Sequence, residues 1–376
     1  MRITMVSDCY APRLGGIESQ VRDLAIHLHR AGHDVLVVTA TRDDNAPAPH
    51  MCLDEGVRVW RINLPLAGPV PVNPLAGPQL LAAMRGADIT HIHTGVISPV
   101  ADHAAILAAR HRLPAVVTWH CMLTHWAHLF TLLRHRQYTA RRGVVHTAVS
   151  TVMAERISRI LSAPVGIVPN GTDLQIWRAI AQERLRSPRQ PGPIRIVSSR
   201  RLARIKRNDT LIAIVAQARQ HSGRECELTI YGEGPGRPAL EQLRDRLGAS
   251  WLHLPGRATR ADLAAAYRYA DIYLSTSTIE AFGIATLEGR ASGLPVIAPT
   301  ATGVDDFCAD GRGAILGADD DALAKALTQL LSDDDMREQM ARYNAQIPPQ
   351  QDWSAVLPTT LAVYEQVMAG GNGRHS

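Results

Sequence analysis

The sequence has no paired-cysteine motif. Its five cysteines, Cys9, Cys52, Cys121, Cys226 and Cys308, are odd in number and far apart. None sits in a Cys-x-x-Cys step, so neither a disulfide framework nor a thiolate zinc site is expected, and the thiols read as reduced cytoplasmic ones. There is no charge-free apolar run of the roughly 20 residues that a helix needs to cross a bilayer. The opening residues reach charge after a short apolar stretch, unlike a secretory leader. No Lys/Arg block marks a nucleic-acid tail. The net charge of +5 is spread along the chain, largely as arginine, so nucleic acid is not an expected partner. Ser150 lacks the flanking glycines of a nucleophile elbow, and the loop after the first apolar run lacks a full Gly-x-Gly-x-x-Gly. Both absences count against a triad hydrolase and a nicotinamide enzyme.

What is present is a repeated alternation of strand-like and helix-like segments. At 376 residues and 46% hydrophobic content, the chain suits two domains with separate cores. Short apolar runs at 3–6, 35–39, 57–62, 89–93, 115–118 and 145–149 predict strands. Between the first two, Val21, Leu24, Ala25 and Leu28 recur at helical spacing, with Gly32 just beyond. The first half therefore predicts an open parallel sheet. Turn formers crowd residues 187–193, and a second series of runs begins at 194–198 and continues at 228–231, 272–275 and 295–298. The expected fold is α/β, with one doubly wound, Rossmann-like domain over 1–187 and another over 194–350. A terminal helix at 353–368 is expected to pack back on the first domain. If the two domains face each other, the carboxyl ends of both sheets line one cleft, and the chemistry belongs on the loops that follow strands.

Three of those loops stand out. After the first strand, Gly15-Gly16 precedes a helix, where glycines let the backbone approach an anion; a tight turn without ligand is the other reading. After the first strand of the second half comes Arg200-Arg201-Leu202-Ala203-Arg204-Ile205-Lys206-Arg207, a set of cations suited to a diphosphate leaving group or simply to solvent. After the strand at 272–275, Glu280-Ala281-Phe282-Gly283-Ile284 opens a helix that carries Glu288. Two carboxylates there can accept from different hydroxyls of one ligand, or serve as a capping and a surface glutamate.

Taken together, these segments resemble glycosyltransferase family 4, the retaining GT-B enzymes. Glu280-Ala281-Phe282-Gly283 with Glu288 looks like that family's two-glutamate signature, and Arg201-Leu202 with Lys206 looks like its basic loop. Gly15-Gly16, Thr118-Trp119-His120 and Val168-Pro169-Asn170-Gly171-Thr172-Asp173 fall in family order, so the resemblance covers essentially the whole chain. It implies a nucleoside-diphosphate sugar as co-substrate, no cofactor and no metal, and a hydroxyl acceptor on a lipid, glycan or small metabolite. By position, Arg201 and Lys206 would hold the donor diphosphate and Glu288 the ribose. Glu280, with the amides of Gly283 and Ile284 after Phe282, would hold the transferred sugar. His120 would sit beside the reacting sugar, and Gly15 and Gly16 would close over the phosphate and acceptor side. Two departures stand out: Arg200 replaces the glycine that usually precedes the basic-loop arginine, and the paired glycines usual after the strand at 295–298 are reduced to Thr302-Gly303-Val304-Asp305-Asp306.

Other signals have simpler readings. Asp319-Asp320-Asp321 and Asp333-Asp334-Asp335 stand ahead of helical segments and read as caps rather than metal ligands. His91 and His93 share a strand face without a third ligand nearby. From His103 to Ala154 there is no acidic residue, and Met122, Leu123, Trp126, Leu129, Phe130 and Leu133 lie at helical spacing beside Arg134, Arg136, Arg141 and Arg142. That stretch reads either as a helix packed on its domain or as a peripheral contact with an anionic membrane on the cytoplasmic face. A GT-B epimerase or hydrolase, and a non-catalytic nucleotide-sugar binder, are the alternatives to transfer.

Overall fold

The computed structural model describes residues 1–13, 15–43, 49–64, 73–122, 132–186 and 191–372. Residues 123–131 of the basic amphipathic stretch and 187–190 of the turn-rich connection lie outside the described residues. The chain divides into two units, Met1–Gly171 with Trp353–Ser376, and Thr172–Asp352. Among the described residues, no helix is long and apolar enough to cross a membrane.

The first unit is built on β1 (Arg2–Ser7), β2 (Asp34–Thr39), β3 (His50–Asp54), β4 (Val57–Arg61), β5 (Ile89–Thr94), β6 (Ala115–Trp119), β7 (Val145–Ala148) and β8 (Gly166–Ile167). They form one sheet in the order β3-β4-β2-β1-β5-β6-β7-β8. The wholly parallel sheet expected here needs correcting, because β3 pairs antiparallel with β4 at the edge. A two-residue turn makes that hairpin: Glu55 and Gly56 have φ of 51° and 86°, the backbone of a turn that follows strand twist. β3 carries no run of buried apolar residues, since Met51 and Leu53 point to solvent. The terminal helix Trp353–Asn372 places Trp353, Val356, Tyr364 and Val367 in one apolar cluster with Ile3, Met5, Val21 and Leu24.

The second unit's strands are β9 (Ile194–Ser199), β10 (Cys226–Tyr231), β11 (Leu252–Gly256), β12 (Ile272–Leu274), β13 (Val296–Pro299) and β14 (Ala314–Gly317). All pair in parallel, in the order β11-β10-β9-β12-β13-β14. Chain direction across the sheet reverses between β9 and β12, and open α/β sheets bind ligands beyond the strand ends at such a point. The aspartate runs are caps: Asp319 accepts from Ala322 N and Asp333 from Met336 N, each at 2.8 Å.

The unit boundary falls earlier in the chain than residues 187–193. Helix Gln175–Arg186 belongs to the second unit because its apolar face is buried there. Trp177 is fully buried, with its ring 5.3 Å from that of Tyr267. Arg178 donates to Pro349 O and Gln182 to Ala345 O. Trp177→Ala should therefore cost the second unit about 3–5 kcal/mol, as large aromatic deletions in cores do. Denaturant unfolding measures it, and a loss below about 1 kcal/mol would contradict this attachment.

Candidate active site

The loops leaving β9 and β12 flank the switch point of the second unit. The first runs from Arg200 through a single 3₁₀ turn, Arg204–Lys206, to the helix Asn208–Ser222. The second runs from Ser275 to Gly283 and enters the helix Ile284–Ala291. Across the gap, Lys206 Nζ donates to Glu280 Oε2 at 2.6 Å, with both side chains about one quarter exposed. Arg201 is exposed: its carbonyl accepts from Ala203 N at 2.9 Å and Asn208 Nδ2 at 3.4 Å, while its guanidinium makes no hydrogen bond or ion pair among the described residues. An ion pair and an exposed guanidinium thus stand on the two loops at the carboxyl ends of these central strands.

The local backbone explains how the second loop is presented. Gly283 caps the helix with φ of 95°, a left-handed conformation that L side chains rarely adopt. The next three N–H groups, of Ile284, Ala285 and Thr286, precede the first helical bond, from Leu287 N to Gly283 O at 2.9 Å, and give the N-terminus a partial positive charge. Phe282 turns inward and is buried against Phe307, at 5.6 Å between ring centres. Behind it, Gly303 N donates to Glu280 O at 2.9 Å, so the glycine that remains after β13 supports the glutamate loop.

Glu288 lies in the second turn of the same helix and is buried. Burial pushes its carboxyl up to about 7, only partly opposed by Arg260, whose Nε is 4.0 Å from Oε1. Such a group can accept two hydroxyl hydrogen bonds when ionised and donates one when protonated.

In the first unit, His120 follows β6 and its amide donates to Thr94 O at 3.0 Å. Its Nε2 lies 2.9 Å from His93 Nδ1, so one ring donates and the other accepts. Burial lowers His120 to about 4 and His93 well below its usual value, which makes both rings neutral at physiological pH. His91 is tied elsewhere, to Tyr364 Oη at 2.7 Å and Thr118 Oγ1 at 2.6 Å. Gly15 is extended, and any β-carbon there would collide with the Glu18 carboxylate; Gly16 begins the helix Gly16–Arg30 with open space beside it. Glu18 is buried and pairs with Arg13 at 3.1 Å.

Residues 14–176 match Glycosyltransferase Family 4, and residues 180–347 match Glycosyl transferases group 1. The chain belongs to glycosyltransferase family 4. This family 4 glycosyltransferase has the GT-B fold, its two parallel-sheet units being the two halves of that fold. It is 27% identical to a GDP-mannose-dependent alpha-mannosyltransferase of Mycolicibacterium smegmatis, with 98% of each chain covered. Among solved structures, a sucrose-phosphate synthase of Thermosynechococcus elongatus superimposes with a TM-score of 0.76 at 21% identity, covering 98% of this chain and 99% of that one. Anabaena HepE, solved with UDP, gives 0.73 at 17% identity, covering 97% and all of that chain.

Two residues of this glycosyltransferase emerge only from the structure. His93 backs His120, a contact signalled in sequence only by its place on the strand that neighbours β6. Asp8 is buried, and its carboxylate accepts from Val100 N at 2.9 Å and Ala101 N at 3.0 Å. It thereby caps, from the end of β1, a helix (Pro99–His111) whose own Ser98 makes no cap bond.

Glu288 has a consequence for stability. Burial raises its carboxyl from an ordinary 4.5 to about 7 in the fold. The folded chain therefore holds the proton through that window and loses relative stability as pH rises across it. Glu288→Gln should stabilise the ligand-free protein by about 2–3 kcal/mol more at pH 8 than at pH 5. Denaturant titrations at the two pH values measure this, and an equal effect at both would contradict the burial account.

Proposed function

We propose that this enzyme transfers a hexose-type sugar from a nucleoside-diphosphate sugar to an acceptor hydroxyl, without a metal ion and with retention, giving an α-glycoside. One observation carries the reading: the 2.6 Å contact of Lys206 with Glu280 at the switch point, on the same loop as Arg201, whose guanidinium has no partner among the described residues. An ammonium and a carboxylate so placed suit a ligand that is anionic at one end and rich in hydroxyls next to it. A nucleotide sugar has that chemistry, and the GDP-mannose in the name of the Mycolicibacterium relative supports it.

In this reading Arg201 and Lys206 take the diphosphate and Glu288 the ribose hydroxyls. Glu280 and the amides of Gly283 and Ile284, held in place by buried Phe282, take the transferred sugar. As the glycosidic bond breaks, charge grows on the departing phosphate. Preorganised cations and a helix N-terminus stabilise that charge more than the ground state, which is the part a divalent ion plays in other transferases. The leaving phosphate oxygen then takes the acceptor proton on the same face of the sugar, so the new bond replaces the old with retention. His120, as a neutral imidazole, serves the reacting sugar as a hydrogen-bond partner rather than a cation. Gly15 and Gly16 belong to the phosphate and acceptor side.

Donor turnover with and without acceptor tests the proposal, using phosphoinositide, lipid-linked glycan and small-metabolite acceptors. Donor should be consumed only with an acceptor present, and Arg201→Ala should cut the rate roughly a hundredfold, the usual cost of one charge-stabilising group. Consumption without acceptor would identify an epimerase or hydrolase. Unchanged turnover in the variant would refute the diphosphate assignment.

A further inference from the structure

Arg200 stands where the resemblance leads one to expect glycine, and the structure gives its side chain a task. Its backbone is pinned: the amide donates to Tyr231 O at 2.9 Å, and the carbonyl lies so close to Gly232 that any β-carbon there would collide with it. From that fixed point the guanidinium turns inward between the two loops that flank the switch point. Nη1 donates to Lys206 O at 2.8 Å on one side and to Thr276 Oγ1 at 3.0 Å on the other. Nε donates to Ser198 Oγ at 3.0 Å and Nη2 to Leu274 O at 3.4 Å. Thr276 Oγ1 in turn donates to Arg207 O at 3.0 Å. One side chain therefore ties the 3₁₀ turn that carries Lys206 to the loop that carries Glu280.

All four acceptors are neutral. Arg200 is half-buried and hydrogen-bonds no carboxylate, and burial lowers its pKa, opposed by Tyr273, Glu280 and Tyr267 nearby. An apolar side chain here would leave Lys206 O without this donor and the two loops untied.

We propose that Arg200 is a positioning residue of the donor site, holding the Lys206 turn against the Glu280 loop so that the ammonium meets the donor diphosphate. The proposal rests on the donor-site reading above. Arg200 acts through Lys206, so the effects of losing the two should overlap rather than add.

The test is a double-mutant cycle on nucleoside-diphosphate affinity. UDP, GDP and ADP are titrated calorimetrically into the full chain, and the tightest is carried through the variants. Arg200→Met should weaken binding roughly tenfold to a hundredfold, the range for a hydrogen-bonded charged group. Adding Lys206→Ala to it should cost little more, whereas adding Arg201→Ala should cost the full factor seen in wild type. A residue with a merely structural role would lower unfolding temperature yet leave the Arg200 and Lys206 effects independent; that result overturns the proposal. If Arg200→Met fails to fold, Thr276→Val removes one acceptor of the same guanidinium with little change in volume. Its effect should likewise overlap that of Lys206→Ala, and wild-type affinity in Thr276→Val would overturn the proposal. If Lys206→Ala and Arg201→Ala alone leave affinity unchanged, the donor-site reading itself fails. If they weaken it while Arg200→Met does not, only the role of Arg200 is lost.

Discussion

The contact between Lys206 and Glu280 joins two loops that leave adjacent strands of one sheet, and the candidate donor site is arranged around it. As a source of stability the pair is small, since partly exposed ion pairs contribute about 0–1 kcal/mol. Its importance is geometric. The turn that carries Lys206 is short and is held from behind by Arg200, while the loop that carries Glu280 is held by Gly303 and by the buried ring of Phe282. Both partners are thus fixed from the inside and presented at the outside. The chain has only two lysines, Lys206 and Lys325, among many arginines. Facing the Glu280 carboxylate it uses lysine, the more compact of the two cations.

The two units offer different chemistry. The second presents cations, a helix N-terminus and two glutamates. The first presents His120, neutral because burial penalises its charge, backed by an equally neutral His93. Both arrangements follow from strand order. In each sheet the direction of winding reverses once, between β1 and β5 in the first and between β9 and β12 in the second, and the loops beside those points carry most of the polar groups in question. Asp8, at the end of β1, shows how tightly such a loop is built, because it caps a helix that begins beyond β5.

Much of this was legible in the sequence, for physical reasons. Strands buried on both faces read as apolar runs, so β1, β2, β5, β6, β9 and β12 declared themselves. Edge strands did not: β3 alternates with exposed residues, β11 contains Pro255, and β14 is four residues ending in glycine. Helix Gln175–Arg186 was assigned to the wrong side of the boundary because turn composition marks a connection, whereas the burial of Trp177 decides ownership. The spacing of Glu280 and Glu288, and of Arg201 and Lys206, was visible as a pattern. What no spacing reveals is which partner each finds: the bond from Lys206 to Glu280, those from Arg200 to Thr276 and Leu274, and the pairing of His93 with His120 arise from chain segments far apart in sequence. The two departures from the family pattern, at Arg200 and Gly303, became interpretable only once those partners were known.

The most direct measurement is calorimetric titration of the purified protein with UDP, GDP and ADP in a chelator, at low and at raised salt. The account predicts micromolar binding of at least one nucleotide without metal, weakening as salt screens the cations around the diphosphate. An absence of binding to all three up to millimolar concentration would contradict it, because Arg201, Lys206 and the helix N-terminus would then not form an anion site.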